Sequence, residues 1–146
     1  MARVKIDLPA SFQFTTHIPV RITDLNYGGH VGNDTLLGIL QEARVHYLRQ
    51  WGYTELNVAG VGLIMSDALV AYKGESFYGD VLEVHIQAAE FTRVGFELYY
   101  QVETQRGDKK ITIVQAKTGM VCFDYTARKP VQVPVIFQEQ AGPQTP

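Results

Sequence analysis

The sequence predicts an α+β domain in which an antiparallel five-stranded sheet wraps around one long central helix. Two observations carry this. Only one segment, "TLLGILQEARVHYLRQW", keeps helical spacing over a long run. The other apolar segments alternate with a period near two, and most are joined by links too short for a parallel crossover.

The first strand is read from Phe12, Phe14, Thr16, Ile18, Val20 and Ile22, which alternate with more polar neighbours. Pro19 falls on the polar register, which suits an edge strand or a bulge. The helix follows, with Leu36, Leu40, Ala43, Tyr47 and Trp51 on one stripe and Leu37, Ile39, Val45 and Leu48 on other sides. A helix apolar nearly all round is expected to be enclosed by other structure. Asn33 or Asp34 is a candidate N-cap and Gly52 a candidate stop. Four strands come next, in "LIMSDALVAYKGES", "VLEVHIQAAEF", "FELYYQVET" and "ITIVQAKTGMVCFDY". "YGD", "RVG" and "RGD" make short links at 78–80, 93–95 and 106–108. Residues 1–126 form the domain and 127–146 a tail, of which "QEQAGPQTP" is expected to lack fixed structure.

Composition narrows the function. Thirteen basic and fifteen acidic residues leave a net charge of -2 with no block of one sign, so neither nucleic acid nor a membrane surface is expected as partner. No apolar run is long enough to span a bilayer, and "MARVKIDLPASF" lacks the apolar core of a signal peptide. A single cysteine, Cys122, forms no internal disulfide and is read as packing. A cytoplasmic enzyme or binding protein is the expectation, with no cofactor and no metal.

The polar chemistry concentrates in "DLNYGGHVGND", residues 24–34, where the strand period ends and the helix period begins. With "QEAR" on the helix, "WGY", "AYKGESFYGDVLEV" and "TRVGFELYYQV", this stretch resembles the hotdog-fold thioesterases of the 4-hydroxybenzoyl-CoA thioesterase and acyl-CoA thioester hydrolase group, whose signature reads about D-x-D-x-x-G-H-V-N-N followed by E-x-A-R. The resemblance covers about residues 12–125. It implies a hotdog fold, a homodimer or dimer of dimers with sites at the subunit interface, and an acyl-CoA thioester as substrate.

That chemistry suits the junction. Thioester hydrolysis passes through an oxyanion, which backbone N–H groups at a helix N-terminus stabilise. Gly28, Gly29 and Gly32 let the backbone approach a ligand. Tyr27 and Arg93 join them as candidate substrate-binding positions. The candidate catalytic residues are Asp24, Asn26, His30, Asn33 and Glu42. Asn26 stands where the family has its usual acid, and Gln41 where it has the helix glutamate. Glu42 follows one residue later, turned about 100° around the helix. The expected activity is acyl-CoA hydrolysis. The alternative is an acyl-thioester-binding protein with little hydrolysis.

Each residue has a plainer reading. Asn26 with Gly28 and Gly29 makes a turn, Asn33 a cap, His30 a structural histidine and Asp24 a local backbone acceptor. Glu42 pairs with His46 one turn on. Arg44, Lys73 and Arg93 either meet coenzyme A phosphates or are ordinary surface charges.

Overall fold

The computed structural model describes residues 4–143. Six strands form one antiparallel sheet: β1 (Phe14–Pro19), β2 (Gly62–Tyr72), β3 (Val81–Ala89), β4 (Gly95–Arg106), β5 (Lys109–Asp124) and the two-residue β6 (Lys129–Pro130). The order across the sheet is β1-β3-β4-β5-β2, with β6 on the end of β5. Helix α1 (Asn33–Arg49) lies against one face and the short α2 (Val135–Ala141) packs near its far end. This is the hotdog architecture, with β6 and α2 as additions to the expected five strands and one helix.

The alternation explains the sheet. Leu82, Val84, Ile86 and Ala88 of β3, and Phe96, Leu98, Tyr100 and Val102 of β4, are all buried on the helix side. Fully burying one such side chain stabilises the fold by about 1.5–3 kcal/mol. The outer face carries Glu83, His85, Glu97, Gln101 and Glu103. Register holds this pattern across strands, with Ile86 opposite both Phe14 and Tyr100.

Helix α1 buries Leu36, Ile39, Leu40, Ala43, Arg44, Tyr47 and Leu48, the i, i+3, i+4 stripe of a helix lying on a surface. Ala43, fully buried, lets the backbone come close to the sheet. The helix is not enclosed all round, as its sequence led us to expect. Leu37 and Val45 on the far side are exposed, because a single sheet covers only one face. The cap also differs: Gly32 is the N-cap and no side chain caps it, since Asn33 and Asp34 already lie inside the first turn. At the other end the C-cap is Gln50, two residues before Gly52.

Arg44 is neither a surface charge nor free to meet a phosphate. It is buried, donates from Nη1 to the Tyr100 hydroxyl at 3.1 Å, and has Nε 3.5 Å from Glu55 Oε1. Tyr100 continues the chain to Thr118 Oγ1 at 2.7 Å.

The tail also departs from expectation. Gln138 to Ala141 belong to α2 rather than to a segment without fixed structure, and residues 144–146 lie outside the described residues. The anchor is Phe137, fully buried with ring centroids 5.8 Å from Trp51 and 5.1 Å from Phe96. Tyr53 donates its hydroxyl to Gln140 at 2.7 Å. Polar composition around one large aromatic hid this docking from the sequence.

Replacing Phe137 with alanine tests it. Chemical denaturation should show a loss of about 3–5 kcal/mol, the usual cost of emptying a buried aromatic site. An unchanged midpoint would mean that α2 does not pack as described.

Candidate active site

The junction between β1 and α1 is a closed loop pinned at both ends. Val20, just past β1, donates its N–H to the Asp80 carbonyl at 2.9 Å. A single 3-10 turn, Ile22–Asp24, follows. Leu25 and Val31 then pair as an isolated antiparallel bridge, so residues 26–30 form a small closed loop. Within it the Asn26 N–H donates to the His30 carbonyl at 2.9 Å and the Gly29 N–H to the Asn26 carbonyl at 3.1 Å. Gly29 has φ +82°, a left-handed conformation that favours glycine. Val31 donates its N–H to the Ser76 carbonyl at 2.9 Å, which ties the loop to the segment between β2 and β3.

Asp24 is a structural acid. It is 3% exposed. Its Oδ2 accepts from the Arg21 backbone N–H at 2.8 Å and its Oδ1 from Arg21 Nη2 at 3.1 Å. Burial alone would raise its pKa, but the Arg21 hydrogen bonds and charge outweigh burial and hold the carboxyl below the ordinary range. Both oxygens are engaged, so Asp24 is poorly placed to attack or to take a proton.

Asn26 makes the turn the sequence suggested. Its Oδ1 accepts the Gly28 N–H at 2.8 Å. A side chain on Gly28 would stand 3.2 Å from that oxygen and 3.4 Å from His30 Nε2, so these three residues share one small space. Tyr27 is fully exposed at the loop tip.

The helix entrance is open. Among the described residues no side chain caps α1, and glycine at the N-cap has none to offer. A Cβ at Gly32 would meet Asp34 Oδ1 at 2.8 Å. The first N–H groups of a helix have no partner inside it, and the dipole of a 17-residue helix makes that end positive. Tyr72 donates its hydroxyl to the Asn33 carbonyl at 2.9 Å, fixing the first turn against the end of β2.

Two concavities flank this entrance. A recess of about 290 Å³ brings together His30, Asn33, Tyr72, Lys73 and Glu75. The second, about 440 Å³, lies between β1 and α1 and includes Arg21, Asp24, Thr35, Gly38, Glu42 and His46. The expected catalytic residues therefore divide. His30 and Asn33 share the recess, Asp24 and Glu42 share the other cavity, and Asn26 sits on the loop beside His30.

Glu42 is taken by His46, whose Nε2 lies 2.8 Å from Glu42 Oε2 and whose Nδ1 lies 2.7 Å from Thr16 Oγ1. This is the helical pair foreseen from spacing, and it fastens α1 to β1. Arg93 is exposed in the turn between β3 and β4. The segment that touches Val31 leads into the other end of β3, so within one protomer Arg93 is not brought to the glycine loop.

Sequence reasoning missed Glu75, Tyr72 and Ser76. Glu75 is an exposed carboxylate in the His30 recess. Ser76 is 1% exposed and its Oγ has no hydrogen-bond partner among the described residues. The polar cluster "YKGES" at the end of an apolar strand was the available signal. Its spatial meeting with residue 30 was not visible.

His30 has one further constraint. Its Nδ1 is 3.3 Å from the Val31 carbonyl. A carbonyl only accepts, so this contact is a hydrogen bond in the tautomer with the proton on Nδ1, and that tautomer leaves the Nε2 lone pair free.

Comparison with known proteins agrees with this picture. The family model of the thioesterase-like superfamily matches residues 20–141. A curated Aquifex aeolicus protein, provisionally named an esterase, is 31% identical over 85 residues, 57% of this chain and 66% of that protein. The matched region thus spans just under two thirds of that relative's length. Among solved structures, a Pseudomonas aeruginosa protein provisionally named a thioesterase superposes with a TM-score of 0.79 at 23% identity, covering 89% of this chain and 98% of its own. The 4-hydroxybenzoyl-CoA thioesterase of Pseudomonas sp. strain CBS-3 superposes with a TM-score of 0.77 at 18% identity, covering 88% and 99%. Among the described residues, no helix is long and apolar enough to cross a membrane.

The role of Asp24 is open to a pH test. A carboxyl with a depressed folded pKa contributes stability above its unfolded pKa near 4, and loses it as pH falls through the folded value. Asp24→Asn should therefore cost about 1–3 kcal/mol at neutral pH. The gap to wild type should close in acid. A constant gap across the titration would remove the charge of Asp24 from the account.

Proposed function

The chain belongs to the thioesterase-like superfamily, and on that premise we propose that it hydrolyses acyl-CoA thioesters at the entrance of α1. The observation that carries the reading is the uncapped helix N-terminus opening beside His30 and Asn33. In this reading the thioester carbonyl points at the N–H groups of the first turn, which stabilise the oxyanion as water adds. The thiolate of coenzyme A then leaves and the free acid remains.

His30 is the proposed base. Its Nδ1 contact with the Val31 carbonyl favours an Nε2 able to take a proton from water. Asn26, adjacent through the Gly28 turn, orients the water or the thioester with its amide nitrogen. Gly28, Gly29 and Gly32 keep the path to the backbone clear. Glu75, on the same recess, is the carboxylate best placed to assist, since Asp24 and Glu42 are committed to Arg21 and His46. Tyr27 and Arg93 remain proposed contacts to substrate, Arg93 from a second copy of the chain. An aromatic acyl group is included in the substrate range because one fold neighbour is a 4-hydroxybenzoyl-CoA thioesterase.

The proposal includes a homodimer. Strand β2 is an eleven-residue sheet edge, and Met65, Ser66, Asp67 and Ala68 on it are exposed. Leu37 and Val45 expose apolar surface on the open side of α1. An unprotected long edge is a pairing surface, whereas the other edge, β1, is short and ends in Pro19.

The second reading, binding of an acyl thioester with little turnover, draws on Asn26, an amide where the family has its acid. One panel separates the two. Short, medium, long and aromatic acyl-CoAs are incubated with the protein, and thiol release is followed. The proposal expects turnover on at least one, reduced about 10²–10⁴-fold in His30→Gln. Asn26→Asp keeps the acceptor for Gly28 and adds a carboxylate oxygen; introduced into His30→Gln, where the general base is missing, it should raise the rate by about 10²-fold. Binding without turnover across the panel would favour the second reading. Light scattering at the 16.4 kDa monomer mass would remove the dimer.

A further inference from the structure

We propose that the outer face of the sheet carries a binding site for a divalent transition-metal ion, built from His85, Glu83 and Glu103 and remote from the helix entrance. His85 Nε2 lies 2.9 Å from Glu83 Oε1 and 3.0 Å from Glu103 Oε1. One donor atom from each of the three residues lies within 4.8 Å of the others. The set is mixed, one imidazole nitrogen and two carboxylate oxygens, and each member is half-buried on a rigid strand.

Register builds the site. Glu83 sits opposite both His17 on β1 and Glu103 on β4, and His85 sits opposite Thr15 and Gln101 in the next outward row. His17, Glu83 and Glu103 thus form one line across three strands, with His85 over its middle. His17 Nε2 is 3.5 Å from Glu83 Oε2, the second oxygen of that carboxylate.

The second observation is the support behind His85. Its Nδ1 is 2.7 Å from Thr15 Oγ1, and its ring packs at 5.9 Å from Phe12. A metal-binding imidazole keeps its proton on the nitrogen away from the ion and gives it to an acceptor there, which fixes ring and tautomer. Thr15 Oγ1 supplies that acceptor. In the metal-free chain Nε2 carries a proton donated to the two carboxylate oxygens, and an ion takes the place of that proton between them.

The dimensions fit. A tetrahedral zinc ion about 2.1 Å from each donor holds its donors about 3.4 Å apart. The two nitrogen–oxygen separations need to open by only about half an ångström, within reach of carboxylate rotation. Imidazole with carboxylate suits zinc, iron, nickel or copper better than magnesium or calcium. One group opposes the ion: Lys110 Nζ lies 3.1 Å from Glu83 Oε1 and, as the leading cause, holds that carboxyl below its ordinary range. The ion binds by displacing Lys110 and by taking the place of the Nε2 proton, which passes through solvent to Nδ1.

The experiment uses the full chain after dialysis against chelator, titrated with Zn²⁺ by calorimetry and with Co²⁺ by visible absorption. One ion per chain should bind, with Co²⁺ bands of a low-coordinate nitrogen–oxygen site. His85→Ala and the isosteric Glu103→Gln should abolish binding. Thr15→Val should weaken it about tenfold through loss of the supporting acceptor. Lys110→Met should tighten it. His46→Gln, which breaks the other histidine–carboxylate pair, should leave it unchanged. Circular dichroism confirms that each variant is folded. No wild-type binding below millimolar ion overturns the site. So does binding that survives Glu103→Gln, or that is lost equally in His46→Gln.

Discussion

The candidate site depends on an unpaired helix end held at a fixed place. The first N–H groups of α1 have no side-chain cap, because the N-cap is Gly32. Water satisfies such groups cheaply, so an open end on the surface is common. Here the end is also immobilised. The Leu25–Val31 bridge closes the loop, the Val31 N–H reaches the Ser76 carbonyl, and the Tyr72 hydroxyl reaches the Asn33 carbonyl. A positive helix end held still is pre-organised for developing negative charge.

The rest of the fold serves that placement. Burial of Leu36, Leu40, Ala43 and Tyr47 sets the helix against the sheet. The Arg21–Asp24 pair sets the direction in which β1 delivers the chain into the loop. The Thr16–His46–Glu42 chain fixes the gap between β1 and α1. Polar groups that spacing alone nominates for chemistry are thereby used for position. Asp24 and Glu42 are examples, engaged by Arg21 and His46 respectively.

Much of the fold was legible because its signals are local. Period two in Leu82, Val84 and Ile86, and helical spacing from Leu36 to Tyr47, each fix a face without reference to distant residues. The hotdog resemblance rested on the loop at 24–34 combined with the helix motif and later strand motifs, each a contiguous stretch, and was equally readable. What was not legible was long-range. Arg44 reads as a surface charge until Tyr100 and Glu55 are seen beside it. α2 reads as polar tail until Phe137 meets Trp51 and Phe96. Glu75 shares the His30 recess only because the β2–β3 segment folds back on the loop. The exposed stripe of Leu37 and Val45 was hidden for a different reason: apolarity all round a helix does not say which side the sheet will cover.

The central claim is that the entrance of α1 polarises a thioester carbonyl. It is tested most directly by isotope-edited infrared spectroscopy of a bound acyl-CoA analogue, with the thioester sulfur replaced by methylene and ¹³C at the carbonyl. The account predicts a carbonyl stretch shifted to lower frequency on binding. In Gly32→Ala, where the added methyl disturbs the helix entrance, that shift should shrink. A bound carbonyl that absorbs as it does in water, with the analogue demonstrably held by the protein, would contradict the account.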